Sequence, residues 1–274
     1  MDDTAPLASF EAKWGAAHPE LGLGLGFVAA AQRRAQTAFA CIACEIEHAA
    51  FAIRAAEPAL IKLQWWAEEL ARAGRGEARH PLTQALAEHP ELAALPPAQW
   101  HAVVAGAFAQ RDPEPAADRA AQLDGYAALY GPLATIEAHL FPPLDAAASA
   151  RVRALARALR ETAALGDVLR DGRLPLPLDL LARHRLARGD LAQASPQQAA
   201  ALREWLDALA ADLAVASTGA QLGPLHAAAA SADRWRARNA ARAADPLAAL
   251  AGELGRLPLR ATWAAWRGGL RSSR

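Results

Sequence analysis

The sequence predicts an all-α protein folded as a single helical domain, and three observations carry this. Apolar residues make up 53% of the 274 residues, and Ala and Leu, both strong helix formers, dominate them. Val and Ile, which strands prefer, are scarce. Helical patterns succeed one another across short Pro- and Gly-marked breaks, without a fixed-period repeat, low-complexity tail or convincing linker. Residues 1–25 read as an N-terminal lead-in and residues 26–274 as the domain.

The overall balance excludes several function classes. With 29 basic and 29 acidic residues there is no global field to attract nucleic acid. Two cysteines, Cys41 and Cys44, do not make a secreted disulfide scaffold. The chain opens Met-Asp-Asp, with no basic segment leading into an apolar core, so a signal peptide is not expected. The apolar run 21–31 is shorter than the roughly 20 residues a membrane span needs. The expectation is a cytoplasmic protein.

Taken in order, LGLGLGF carries three glycines, a poor helix interior, and reads as a loop that approaches other backbone closely. A long helix is expected over 27–56. Pro58 ends or kinks it and suits the first turn of the next helix, which reaches about 73. Pro81 opens a short helix, and another covers 98–110. Pro115 opens one that carries Tyr126 and Tyr130 and stops at Gly131-Pro132, with a further helical stretch to Phe141. The longest clean pattern spans 144–171, with Gly172 as its C-terminal stop. LPLPLD is extended. Ser195-Pro196 caps a helix running to about 217. Asp233 and Asp245-Pro246 mark later starts.

Several motifs have both a chemical and a packing reading. Glu47, His48, Arg54, Lys62 and Gln64 interrupt an apolar surface, so they rim a cavity or face solvent. Cys41, Cys44 and His48 share a helical stripe. A zinc site needs a further ligand or an open position, and no second CxxC or HxxxH supplies one, so core packing is expected. Trp65 and Trp66 point about 100° apart and serve as packing anchors. Asp167 and Asp171, spaced i, i+4 with Arg170 between them, share one face. Such a pair can hold Mg²⁺ or form a surface salt-bridge face. Their place near a helix C-terminus opposes the helix dipole. In the last helix Trp263, Trp266 and Leu270 share a side flanked by Arg260, Arg267, Arg271 and Arg274. This fits a membrane-surface helix, or a terminal helix packing its tryptophans inward, and inward packing is the expectation.

Three stretches, in order and at specific spacing, resemble the squalene/phytoene synthase family over residues 25–240. They are RRAQTAFACIACEIEHAAF with LQWWAEEL and His80-Pro81, then Tyr126 with its following helix, then ALGDVLRDGRLPLPLDLL. The resemblance implies a terpenoid-synthase-like helical bundle around a central apolar cavity. Two aspartate-rich helices face each other across its mouth and hold Mg²⁺ against the diphosphates of two prenyl chains. It assigns the catalytic and metal positions to Glu47, Asp167 and Asp171, and diphosphate binding to Arg34, Arg54, Arg170 and Arg173.

The carry-over is uneven. The first motif's acid positions are Glu47, His48 and Phe51, and Phe51 cannot bind metal. In the second, Asp167 stands at an asparagine position and Leu169-Arg170-Asp171 are intact. The next acid and the tyrosine both fall on Pro175. Too few carboxylates remain for a trinuclear cluster, and ionising a diphosphate without charge neutralisation is slow. Compensation would have to come from residues elsewhere, such as His101 or Glu161. The pattern is similar to the branch that includes mitochondrial complex I assembly factors and their bacterial relatives. Two readings follow. One is a catalytically weak or inactive member with a lipid-binding or assembly role, a protein partner, and peripheral contact at the inner membrane face. The other is a Mg²⁺-dependent prenyltransferase joining prenyl diphosphates head to head. They diverge on whether Glu47 and Asp171 face each other across an open cavity.

Overall fold

The computed structural model describes residues 5–272, and among these it contains fourteen α-helices and no strand. In chain order they are α1 (Ala5–Ala17), α2 (Pro19–Leu25), α3 (Ala30–Phe51), α4 (Ala56–Ala73), α5 (Pro81–Ala87), α6 (Pro97–Ala109) and α7 (Arg119–Leu140). The second half comprises α8 (Ala146–Ala163), α9 (Leu165–Arg170), α10 (Leu178–Arg183), α11 (Pro196–Ser217), α12 (Pro224–Arg242), α13 (Pro246–Glu253) and α14 (Leu259–Ser272). In the first half, α3 packs against α1, α2, α4, α5 and α6. In the second, α8 lies against α7, α11 and α12. One apolar core runs through both halves, anchored by the fully buried Trp66, Trp100 and Trp205. Trp65, by contrast, is partly exposed, and both rings of the pair meet His80 edge-on.

Within the expected lead-in, residues 5–17 and 19–25 are helical and packed. Trp14 and Leu25 are buried, and LGLGL is the body of α2 rather than a loop. Its glycines do serve close approach: a Cβ on Gly24 would lie 2.6 Å from the Leu225 backbone. Buried Glu45 ties this region together, accepting hydrogen bonds from Lys13 (2.6 Å), Trp14 (3.1 Å) and Lys62 (2.5 Å). Helix α3 ends at Phe51, short of the expected 56. Arg111 donates to the carbonyls of Ile53 (2.7 Å), Ala50 (3.2 Å) and Arg54 (3.2 Å), satisfying groups at and beyond the helix end.

Pro132 does not stop α7, which runs through it to Leu140. A proline in a helix frees the carbonyl four residues back, here that of Ala128. That carbonyl is where α6 makes its closest approach, since a Cβ on Gly106 would come within 2.1 Å of its oxygen. The expected 144–171 helix is also broken. Ala164, with φ −95 and ψ 24, separates α8 from α9, and no proline or glycine at that position announces it. The stop at Gly172 holds, with φ +82 and a Schellman pair of bonds, Arg173 N–H to Val168 (3.1 Å) and Gly172 N–H to Leu169 (3.1 Å). Ser195 and Asp245 cap α11 and α13 with their side chains. Asp233 starts no helix; it is buried inside α12.

Helix α14 reverses the expected orientation. It turns Ala261, Ala265 and Gly268 inward, and Trp263 and Trp266 are 57% and 48% exposed. The small residues let it sit against backbone: a Cβ on Gly268 would lie 3.0 Å from Pro224, and one on Gly269 would lie 2.6 Å from the Phe27 carbonyl. An inward tryptophan could not approach so closely. Arg274 lies outside the described residues.

Gly106→Ala is expected to lower stability by about 1–3 kcal/mol through overpacking against Ala128. Gly125→Ala, in open space on α7, is expected to be neutral or to gain up to about 1 kcal/mol. Thermal melting of the two variants checks this.

Candidate functional site

The centre of the bundle is organised by three arginines of α8. Arg153, Arg157 and Arg160 are spaced i, i+4 and i+7, which puts them on one stripe. Arg153 and Arg160 meet acids from other helices, and Arg157 meets Glu161 of α8 itself. Arg153 donates to Glu137 of α7 (3.1 Å) and lies 3.7 Å from Glu47 of α3, while His226 of α12 hydrogen-bonds Glu137 at 2.7 Å. Arg160 pairs with buried Glu20 of α2. Glu20 also accepts from Arg236 at 3.1 Å, and Arg236 reaches Asp233 at 2.7 Å. Arg157 donates two hydrogen bonds to Glu161, at 2.9 and 3.1 Å. Glu161 also takes Arg173, and it accepts the Tyr126 hydroxyl at 2.6 Å.

Burial alone would raise these carboxyls. For Glu137 the facing His226 and Arg153 outweigh it and hold the group at about 2, against an ordinary 4.5. For Glu161 burial is outweighed by Arg157 and Arg173, and for Glu20 by Arg160, the His18 hydrogen bond and Arg236. Burial would lower Arg160, but Glu20, Asp233 and Glu47 push it up. Pairing thus favours the charged forms of Glu137, Glu161 and Glu20, whereas at Asp233 burial wins and raises the carboxyl; losing an arginine of this network would strand a buried charge.

The first motif sits on this network without forming a carboxylate cluster. Glu47 faces Arg153 and lines a cleft of about 80 Å³ with Glu20, Arg160 and His226. That is well short of the ~300–1,000 Å³ of drug-sized ligand pockets. His48 turns to α1 and packs edge-on against Trp14, with ring centroids 5.9 Å apart. Phe51 is buried one turn beyond Glu47. The Arg157 guanidinium lies 3.9 Å over its ring, Arg173 lies at 5.7 Å, and Tyr126 is edge-on at 6.4 Å.

The second motif faces a different cation. Arg54 reaches Asp167 at 3.1 Å and Asp171 at 3.2 Å, and Arg170 also pairs with Asp167. The expected common face of the two aspartates is therefore real, but a guanidinium spans it. Arg173 turns inward to Glu161. Arg34 pairs with Glu88 at 2.8 Å, about 25 Å along α3 from Phe51 at 1.5 Å per residue. The seven sequence-assigned residues thus fall into separate places. Glu47 lines a cleft whose lining does not include Asp171, and along α3 Phe51, under Arg157 and Arg173, falls between Glu47 and Arg54, the partner of Asp171. His101, on exposed α6 surface beside Glu68 and Arg72, and Glu161, bound to two arginines, add no ligand.

The donor set therefore does not fit a Mg²⁺ cluster. Each of the three assigned carboxylates already faces an arginine. Among the described residues no three His, Cys, Asp or Glu side chains converge to hold a metal ion. The cysteine stripe is core. Burial, helped by Glu11 and Glu45, pushes Cys41 up to about 12, and burial with Glu47 and Cys41 raises Cys44 well above its ordinary value, so neither favours the thiolate form. Sequence reading missed the arginine stripe, although Arg153, Arg157 and Arg160 interleave with Val152, Leu155 and Leu159 on the clearest helix of the chain. Glu137, His226, Glu20 and Arg236 carried no local signal.

Acid is expected to loosen this centre. Glu137 titrates near 4.5 when unfolded and at about 2 when folded, so its contribution is full above pH 4.5 and is lost as pH falls toward 2. Melting temperature followed across that window is expected to fall. Glu137→Gln is expected to flatten the fall and to cost about 3 kcal/mol or more at neutral pH, because it strands Arg153 and His226.

The comparisons with known proteins bear on the same helices. The family model for squalene/phytoene synthase matches residues 20–267. A search of curated proteins returns no match. Among solved structures, a dehydrosqualene synthase in complex with ligand aligns with a TM-score of 0.65 at 13% identity, covering 87% of this chain and 86% of that one. The squalene synthase HpnC from Alicyclobacillus acidocaldarius aligns with a TM-score of 0.64 at 15% identity, covering 92% and 94%. At these identities the structures establish a shared fold. The family match runs from α2 into α14 and takes in both motif helices and the arginine stripe, and on that match the chain belongs to the squalene/phytoene synthase family.

Proposed function

We propose that this chain is a non-ionising member of its family, a protein that keeps the synthase scaffold and works by binding rather than by turning over prenyl diphosphates. One observation carries the reading. The position where the family's chemistry wants a metal-binding acid is Phe51, and Arg157 and Arg173 close over it while Glu161 neutralises both. A diphosphate leaving group needs uncompensated positive charge in a preorganised site. Here Arg54 is matched by two aspartates and the inner arginines by buried glutamates, so little is left to offer.

The narrow cleft beside Glu47 argues against a prenyl chain held in the interior, and it favours an assembly or scaffold role of the kind in the complex I assembly branch. In this reading a lipid of isoprenoid type meets the outer surface, and the protein contacts the inner membrane face peripherally. No helix among the described residues is long and apolar enough to cross a membrane.

A second reading has one observation in its favour. Asp167 and Asp171 keep a common face, and Arg54, which spans it, is 64% exposed and free to swing away. That would leave a two-carboxylate face for a single Mg²⁺ in a prenyltransferase.

Purified protein incubated with farnesyl or geranylgeranyl diphosphate and Mg²⁺, with and without NADPH, separates the two. The expected outcome is no diphosphate release and no hydrocarbon product, unchanged in Asp171→Asn. Turnover that Asp171→Asn abolishes would overturn the proposal.

A further inference from the structure

Helix α14 is amphipathic in the wrong sense for a helix that only packs on its own domain. Such a helix buries its large apolar residues and shows its small or polar ones. This one buries Ala261 and Ala265 completely and leaves Leu259 90% exposed, in line with the half-exposed Trp263 and Trp266. Its close backbone contacts at Gly268 and Gly269 fix that orientation, because rotating the tryptophans inward would drive them into Pro224 and Phe27. The outward stripe is therefore built into the packing.

The flank of the stripe is basic. Helix α14 has no acidic residue, and Arg260, Arg267 and Arg271 line a groove of about 570 Å³ shared with Arg234 of α12. Among the described residues no carboxylate lines that groove. This is unusual in a chain whose charges balance overall, 29 against 29, and whose α8 arginines each meet an acid. Arg267 lies over the Trp263 ring at 4.5 Å, joining the apolar stripe to the basic wall. The Nε of Arg234 is buried without a partner. Burial, with Arg238 and Arg260 close by, lowers its pKa, as crowded cations lacking an anion should do.

We infer that α14 and the arginine groove beside it form a docking surface for a bilayer of anionic phospholipid. The helix lies in the interface plane, Leu259, Trp263 and Trp266 enter the acyl boundary, and the arginines meet lipid phosphates. At about 21 Å, α14 is too short to span a bilayer. Tryptophan at the headgroup level and arginine on the polar flank form the pattern of an interfacial helix. A free phosphate would answer the arginines and leave the apolar stripe in water; a bilayer supplies both chemistries in one plane. This rests on the peripheral membrane contact in the proposed function and gives that contact its residues. It is independent of whether prenyl diphosphates are turned over.

Co-sedimentation of the full chain with phosphatidylcholine vesicles, with and without phosphatidylglycerol, tests it. Binding is expected to be about tenfold or more tighter to the mixed vesicles and to weaken as salt rises. Trp263→Ser with Trp266→Ser, and separately Arg260→Glu with Arg267→Glu, are each expected to weaken binding by about tenfold or more with melting temperature unchanged. In the unaltered chain, brominated lipid is expected to quench tryptophan emission, and Trp263→Phe to reduce that quenching. If both double variants bind as the unaltered chain does, the surface is wrong while membrane contact stands. If the unaltered chain ignores mixed vesicles, both fail. Release by inorganic phosphate at the same phosphate concentration would make the groove a free-anion site and overturn the inference.

Discussion

The Arg157 guanidinium lies 3.9 Å over the Phe51 ring and donates through two nitrogens to the Glu161 carboxylate, and the centre of the molecule is arranged around that contact. It joins α3 to α8, and through Glu161 it gathers Tyr126 of α7 and Arg173 from beyond α9. A cation on an aromatic face gains most when water is excluded, and this one is nearly so. The same stacking excludes a divalent ion. Phe51 offers no oxygen, and a metal approaching it would meet two guanidinium groups. The apolar residue at this position thus sits in an internally neutral junction of Arg157, Arg173 and Glu161.

The rest of the interior follows the same logic. Arg153 and Arg160 carry acids from α7, α3 and α2, and Arg236 ties α2 to α12. Replacing such a network by apolar residues can be neutral or stabilising, so its value here is register as much as stability. It fixes how α2, α7 and α12 sit on α8, and it brings the N-terminal helices into the core. In this chain the helices of the family fold are joined by paired buried charges.

Much of the fold was legible in the sequence because local chemistry decides it. Ser195, Asp245 and Gly172 act where caps and stops act, and Ala–Leu composition decides the class. What was not legible depended on distant partners. Nothing local says that Arg111 ends α3 at Phe51, that Gly106 waits for the carbonyl freed by Pro132, or that Ala164 breaks α8 from α9. The site divides in the same way. The positions of Glu47, Asp167 and Asp171 could be read from their motifs, but Arg54 and Asp167 are separated by 113 residues, so their pairing could not. The inverted face of α14 was misread for a related reason: periodicity shows that a helix has two sides, and only the backbone contacts of Gly268 and Gly269 show which is inside.

The central claim is that the mouth formed by Glu47, Phe51, Asp167 and Asp171 is closed by arginine and does not assemble a metal cluster with diphosphate. Electron paramagnetic resonance of Mn²⁺, titrated into the protein together with inorganic diphosphate, tests this without asking for turnover. A closed mouth leaves the Mn²⁺ signal that of the metal and diphosphate alone, identical in Asp171→Asn. A protein-bound Mn²⁺ signal at fixed stoichiometry, lost in Asp171→Asn, would contradict it.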